Sequence, residues 1–333
     1  MDAPVIAVDE QITQLSKRVN RKEMFERHRG VEDISANGIN IVLQDTGLDT
    51  SHPWVKQQTN EIEVIDFTKE GERQSYTKGH GTMVTDLATR YATGANVEMH
   101  VTIPGDSLQP YFDSFGKILN NPEDYDVLVM SWAYPGYNSD RVNRLINEIA
   151  DKGVIPIAAS GNNRKEIGSP ATARKCISVG ALTEDGKSVT NFSSWNNSDP
   201  QPGFEGIPEI SAIGKSVVGA NADNGDLGDA INDKKTVSSG TSFSCPFVAN
   251  LVADAVRRMD EPTVEEILEE LEQTAVDIEK TSRDGLGRVD DRNLLYSVTD
   301  GEVPKEDTSV EPSVFQRFVM FFYMVIKKLF GSD

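Results

Sequence analysis

Apolar and polar positions change rhythm several times along the 333-residue chain. Residues 1–35 are polar and charged, with only weak helical spacing in QITQLSKRVNRKEMFERH. From residue 39 short apolar runs alternate with helical patterns. INIVLQDTG (39–47), YDVLVMSW (125–132), VIPIAASGN (154–162) and KCISVGAL (175–182) are β-branched-rich and punctuated by Gly, Ser or Asp, which predicts buried strands. VEMHVTI, around His100, reads as a further strand. Helical spacing occupies 81–92, 139–153 and 242–259, and a further amphipathic pattern runs over 263–278. Strands alternating with helices predict an α/β fold of three αβα layers around a mostly parallel central sheet. In such sheets chemistry gathers at the carboxyl ends of the strands. The predicted organisation is an N-terminal extension (1–35), an α/β domain (36–298), an acidic linker (299–312) and a C-terminal amphipathic helix (313–333).

Composition narrows the classes. The chain carries 33 Lys+Arg against 53 Asp+Glu, a formal net charge of −20, which argues against nucleic acid as a partner. That balance suits a high-salt cytoplasm, and equally an ordinary acidic soluble protein. Two cysteines, Cys176 and Cys245, are too few for a disulfide framework. The opening MDAPVIAVDEQITQLSKR lacks a basic segment followed by an apolar one, so the expected address is cytoplasmic. The tail differs from the rest. Residues 318–326 form an apolar run too short to span a bilayer. On a helix Gln316, Arg317, Lys327 and Lys328 share one side, with Phe315, Phe318, Phe322, Val325, Ile326 and Leu329 on the remainder. A helix over 314–330 of this kind suits the inner membrane face, a partner protein, or docking on its own domain.

A serine becomes a nucleophile only when a base can take its proton and a carboxylate holds that base in one tautomer. The chain has four histidines. His28 lies in the charged N-terminal region, His52 in a predicted turn and His100 in a strand. His80, in KGHGTMV, opens a helix between two glycines, which allow close approach to its ring. Asp45 ends the apolar run INIVLQ and, if buried, needs hydrogen-bond partners; bonding its own turn or orienting a histidine would both supply them. In SSGTSFSCP, Ser242 stands at the start of the helix 242–259, either as nucleophile or as its N-cap. Pro246 falls within the first turns, where a missing N–H costs least.

IVLQDTGLDTSHP, GHGTMV and GTSFSCP, in that order, resemble the subtilisin-like serine proteases, the subtilase family. Asp, His, Ser is the triad order known for subtilisin. VLVMSWA, AASGNN, SPAT, ISVGAL, NFSSW, SAIGKSV and GLGRVDDRNLL are similar to further landmarks of the family, so the likeness runs over residues 35 to 297. The resemblance implies a serine endopeptidase acting on protein or peptide, with Asp45, His80 and Ser242 as triad and Asn162 as oxyanion donor. It implies that Ser131, Trp132 and Ala133 pair with the substrate backbone, opposite Ala159, Ser160 and Gly161, around the S1 pocket. A catalytically silent peptide-binding or membrane-associated scaffold is the alternative. Several departures matter. Ala133 stands where the family usually has glycine, so a methyl narrows S1 or displaces its wall. Cys245, close behind the nucleophile, suggests sensitivity to mercurials. No metal ligand set is read from the sequence, and LATRYATGANVEMHVTI lacks the longer calcium loop of some relatives, which leaves calcium elsewhere open but without support. The short N-terminal extension suggests an intracellular member without a recognisable prodomain.

Overall fold

The computed structural model describes residues 35–294, with breaks at 69–78, 92, 104–106, 135–138, 165, 196–207, 224, 226, 279–284 and 291–293. All but the last residue of the expected N-terminal extension, the acidic linker and the basic-aromatic helix lie outside the described residues.

The apolar runs become β1 (Asn40–Asp45), β4 (Val127–Met130), β5 (Ile155–Ala159) and β6 (Ile177–Leu182). With β2 (Thr59–Asp66), β3 (Ala95–Val101) and β7 (Ile210–Ile213) they form one sheet ordered β2-β3-β1-β4-β5-β6-β7. Every pairing in it is parallel. The chain runs outward to β2 and β3 on one side of β1, then to β4 through β7 on the other. That reversal makes the carboxyl ends of β1 and β4 the switch point, where a crevice opens in such sheets.

Alternation along β1 sorts the two faces. Ile41 and Leu43 join one apolar cluster with α2 (Gly79–Thr89), α5 (Thr241–Arg258) and α6 (Val264–Thr274). Val42 joins the other, with α3 (Gln109–Asn120) and α4 (Asp140–Ala150). This is the three-layer arrangement expected from the sequence. Period-two alternation therefore sends Asp45 toward α2 and α5, and its neighbour Gln44 toward α3.

The sequence pattern missed β2, β7, the short α1 (Pro53–Gln58) and α3. It also missed a small antiparallel sheet of β8 (Val217–Ala220), β10 (Lys235–Ser238) and β9 (Asp229–Asn232). His52, expected in a turn, is the buried N-cap of α1, accepting from the Trp54 N–H. Helix α5 also corrects two expectations. Its N-cap is Gly240 and Ser242 is its second residue, so Ser242 is not there to cap it. Pro246 is its sixth residue, past the turn whose amides are free of intrahelical partners, and it withholds an N–H from the Ser242 carbonyl.

Candidate active site

Asp45 is the last residue of β1 and fully buried. Its Oδ1 accepts from the Thr46 N–H at 2.7 Å and from His80 Nδ1 at 2.8 Å, with Oδ2 3.0 Å from the same nitrogen. A carboxylate so placed fixes the His80 proton on Nδ1 and leaves Nε2 free to accept. Two of the expected readings of Asp45 therefore hold together: it bonds its own turn and it orients the histidine.

His80, the second residue of α2, reaches Asp45 because the helix comes unusually close to the β1 turn. A methyl on Gly81 would lie 2.1 Å from the Gly47 carbonyl oxygen, so only glycine permits this approach. Thr46 Oγ1 completes the contact by accepting from the Gly81 N–H at 3.2 Å. Burial works against a charge on His80, but the Asp45 charge and hydrogen bond outweigh it and raise its pKa above the ordinary imidazole value.

Ser242 comes from the helix that holds α2 in place. Asn250 of α5 donates to the Ala88 carbonyl at 2.9 Å and accepts from the Tyr91 N–H at 2.9 Å, satisfying backbone at the end of α2. Phe243, next to Ser242, packs against His80 with ring centroids 5.6 Å apart. The Ser242 hydroxyl donates to the Ser131 carbonyl at 2.9 Å, and among the described residues it makes no hydrogen bond to His80. Its N–H lies in the first helical turn, which has no intrahelical acceptor to offer it.

Asn162 follows β5 at the same end of the sheet. Its Oδ1 accepts from the Thr241 N–H at 2.9 Å and the Thr241 hydroxyl at 3.1 Å. With the oxygen committed twice, Nδ2 makes no hydrogen bond among the described residues, and a methyl on Gly240 would lie 3.4 Å from it. Thr241 Oγ1 in turn accepts from the Gly161 N–H at 3.1 Å. The role of Thr241 went unread in the sequence, although it immediately precedes Ser242.

The two expected substrate-binding segments also meet here. Ser131, Trp132 and Ala133 leave the end of β4; Ala159, Ser160 and Gly161 leave the end of its parallel neighbour β5. Trp132 is nearly buried, and its Nε1–H donates to Gln44 Oε1 at 3.2 Å. Gln44 donates onward to Ser114 at 2.8 Å, which sits 2.6 Å from His100 Nδ1, and His100 Nε2 bonds Glu98. The signal for this network was a glutamine directly after the apolar Ile41, Val42 and Leu43, since a buried amide needs partners. It gives His100 a partnered, fully buried setting on the face of the sheet opposite Asp45.

Cys245 is fully buried beneath the site, its Sγ 3.7 Å from the Ile157 carbonyl oxygen. Burial pushes the thiol up to about 12, so it stays protonated and sealed from solvent. The expected mercurial sensitivity loses its physical basis here. Among the described residues no group of three or more His, Cys, Asp or Glu side chains is arranged to hold a metal ion.

The fold and this geometry define a subtilisin-like α/β protein with a Ser, His and Asp at one end of its sheet. The subtilase family model matches residues 36–307, and the chain belongs to that family. It is 24% identical to the subtilase-type proteinase RRT12 of Saccharomyces cerevisiae, over 72% of this chain and 47% of that protein. Identity to a subtilisin of Bacillus sp. strain TA39 is 26%, over 70% of this chain and 60% of the other. The chain thus spans about half to three-fifths of the length of these relatives. Among solved structures, a lanthipeptide protease superposes with a TM-score of 0.67 at 18% identity, over 81% of this chain and 90% of the other. A mutant of the protease domain of PatA gives 0.65 at 19% identity, over 82% and 99%.

Proposed function

We propose that the protein is a serine endopeptidase that cleaves peptide bonds through an acyl-enzyme. Ser242 Oγ attacks the carbonyl while His80 Nε2 takes its proton. The same proton then passes to the departing amine. Asp45 holds the imidazole tautomer and stabilises its protonated form. The negative oxygen is received by Asn162 Nδ2 and the Ser242 N–H. Water repeats the sequence to release the acid.

The observation that carries this reading is the hydrogen bond that His80 Nδ1 donates to the buried Asp45 carboxylate, which readies Nε2 as a base on a ring packed against Phe243, the residue after Ser242. The Ser242 hydroxyl rests on the Ser131 carbonyl. A substrate strand donating its own N–H to that carbonyl competes for the acceptor and releases the hydroxyl toward His80. Such bonds often tighten only once substrate is bound.

A fluorophosphonate probe tests the assignment. The expected result is one adduct on Ser242, lost in Ser242→Ala along with peptide hydrolysis and retained in Cys245→Ala. A folded wild-type protein that takes no adduct would instead be a peptide-binding module, and the enzymatic reading would fall.

A further inference from the structure

We propose that Gln44 is a positioning residue for peptide cleavage, acting through the Trp132 indole to fix the backbone of 131–133 against Ser242. The inference rests on the peptidase reading above and adds to it how the partner of the substrate strand is held. Strand β4 ends its pairing with β1 and β5 at Met130. Among the described residues, Ser131, Trp132 and Ala133 make no backbone-to-backbone hydrogen bond. No ladder therefore holds the stretch that carries the Ser131 carbonyl, the acceptor of the Ser242 hydroxyl at 2.9 Å. A side chain holds it instead. The nearly buried Trp132 ring packs on Tyr111, with centroids 4.4 Å apart, and its Nε1–H donates to Gln44 Oε1 at 3.2 Å.

The direction of that bond follows from chemistry, because an indole nitrogen can only donate. It commits the Gln44 carbonyl oxygen to Trp132 and turns the amide nitrogen to Ser114 Oγ, 2.8 Å away. Ser114 Oγ takes that hydrogen and directs its own to His100 Nδ1 at 2.6 Å. With Nδ1 accepting, Nε2 carries the ring proton and donates it to Glu98. Glu98 also accepts from the Tyr125 hydroxyl at 2.7 Å and lies 3.4 Å from Lys117 Nζ. From Trp132 to Glu98 every donor meets one acceptor, so a single His100 tautomer sets which way the Gln44 amide faces. Tyr111 and Ser114 both stand on the buried side of α3. One helix thus holds the indole at its ring and, by way of Gln44, at its nitrogen. An apolar side chain at 44 leaves the buried indole N–H unpaired, a loss that favours its turning away and taking the 131–133 backbone with it.

The test compares Gln44→Met with wild type on two reagents of different reach. One is a hexapeptide substrate, long enough to lie along 131–133; the other is the fluorophosphonate probe, which needs only the triad and the oxyanion donors. The expected result is a KM for the hexapeptide raised at least tenfold, with kcat and the labelling rate within twofold of wild type. Ser114→Ala removes a side chain that, among the described residues, bonds only Gln44 and His100. It should raise the same KM at least threefold with labelling again unchanged, and it decides the question if Gln44→Met does not fold. As a measurement needing no variant, histidine 15N NMR of the wild type should show His100 protonated on Nε2 and bare at Nδ1. Labelling and peptide cleavage that fall together would make Gln44 structural only and overturn the inference. So would a KM unmoved in a folded Gln44→Met or Ser114→Ala, or a His100 protonated on Nδ1, each leaving the peptidase reading in place. A wild type that takes no adduct and cleaves nothing removes that reading, and this inference with it.

Discussion

In the proposed mechanism His80 must be neutral, yet it sits against a buried carboxylate that favours its charged form. Burial opposes the charge, but the Asp45 interactions prevail and the pKa is raised. A general base must be unprotonated, so activity disappears as pH falls through that raised value. The acid limb of kcat/KM should therefore lie above the ordinary imidazole value of about 6.5. Folding responds in the opposite sense. A group whose folded pKa is raised contributes stability that is fully present below its unfolded pKa and fades as pH rises through the folded one. The Asp45–His80 pair thus stabilises the fold most at the pH where the proposed base is protonated. Asp45→Asn should lower kcat, on the order of 10⁴-fold by analogy with other triads, and move the acid limb downward. A pH–rate profile for both proteins checks this; a wild-type limb at or below 6.5 would contradict it.

At the scale of elements, the site depends on how near α2 comes to the β1 turn. Gly81→Ala puts a methyl 2.1 Å from the Gly47 oxygen, a backbone atom that no side-chain rotation can move aside. The helix must move, taking His80 from Asp45. Gly116→Ala, inside α3, is the control, because a methyl there meets nothing within 4 Å. It should stabilise by about 0.5–1 kcal/mol, a Tm gain of roughly 2 °C, while Gly81→Ala loses activity and melts earlier. Equal Tm for Gly81→Ala and wild type would refute the steric argument. The same elements explain what the sequence revealed. Strands β1, β4, β5 and β6 were legible because both faces of each are buried, leaving nearly continuous apolar runs. Edge strand β2 was not, since Glu61, Glu63 and Asp66 dilute its pattern. In α3 the buried Tyr111, Ser114, Phe115 and Ile118 keep helical spacing, but Pro110 and Gly116 obscured it. Asp45, His80 and Ser242 were legible as motifs at three sequence distances. The bracing from Thr241, Gln44 and Asn250 was not, because threonine, glutamine and asparagine carry no signal until their partners are known.

Across the whole molecule the −20 charge is a standing repulsion that the fold only partly neutralises. Its deepest carboxylates are paired: Asp86 with Arg90, and Asp254 with Arg257 and Arg258. Those pairs are shielded from solvent ions and persist at high salt. Among the described residues, helix α6 has little such cover. Glu265, Glu266, Glu269 and Glu272 are exposed on it, and its sequence VEEILEELEQT contains no cation. Like charges three or four residues apart each cost a helix about 0.2–0.5 kcal/mol at low salt. Lys175, 3.7 Å from Glu265, offsets only one of them. Raising ionic strength from about 0.1 to 1 M shortens the screening length from roughly 10 to 3 Å, which removes most of this repulsion while leaving the buried pairs intact. Stability should therefore rise with NaCl and level off near 1 M. Thermal melts over that range check it, since screening saturates whereas a solvent-exclusion effect keeps climbing. A Tm that is flat or falls with NaCl would mean that the surface carboxylates are spaced too widely for the net charge to matter.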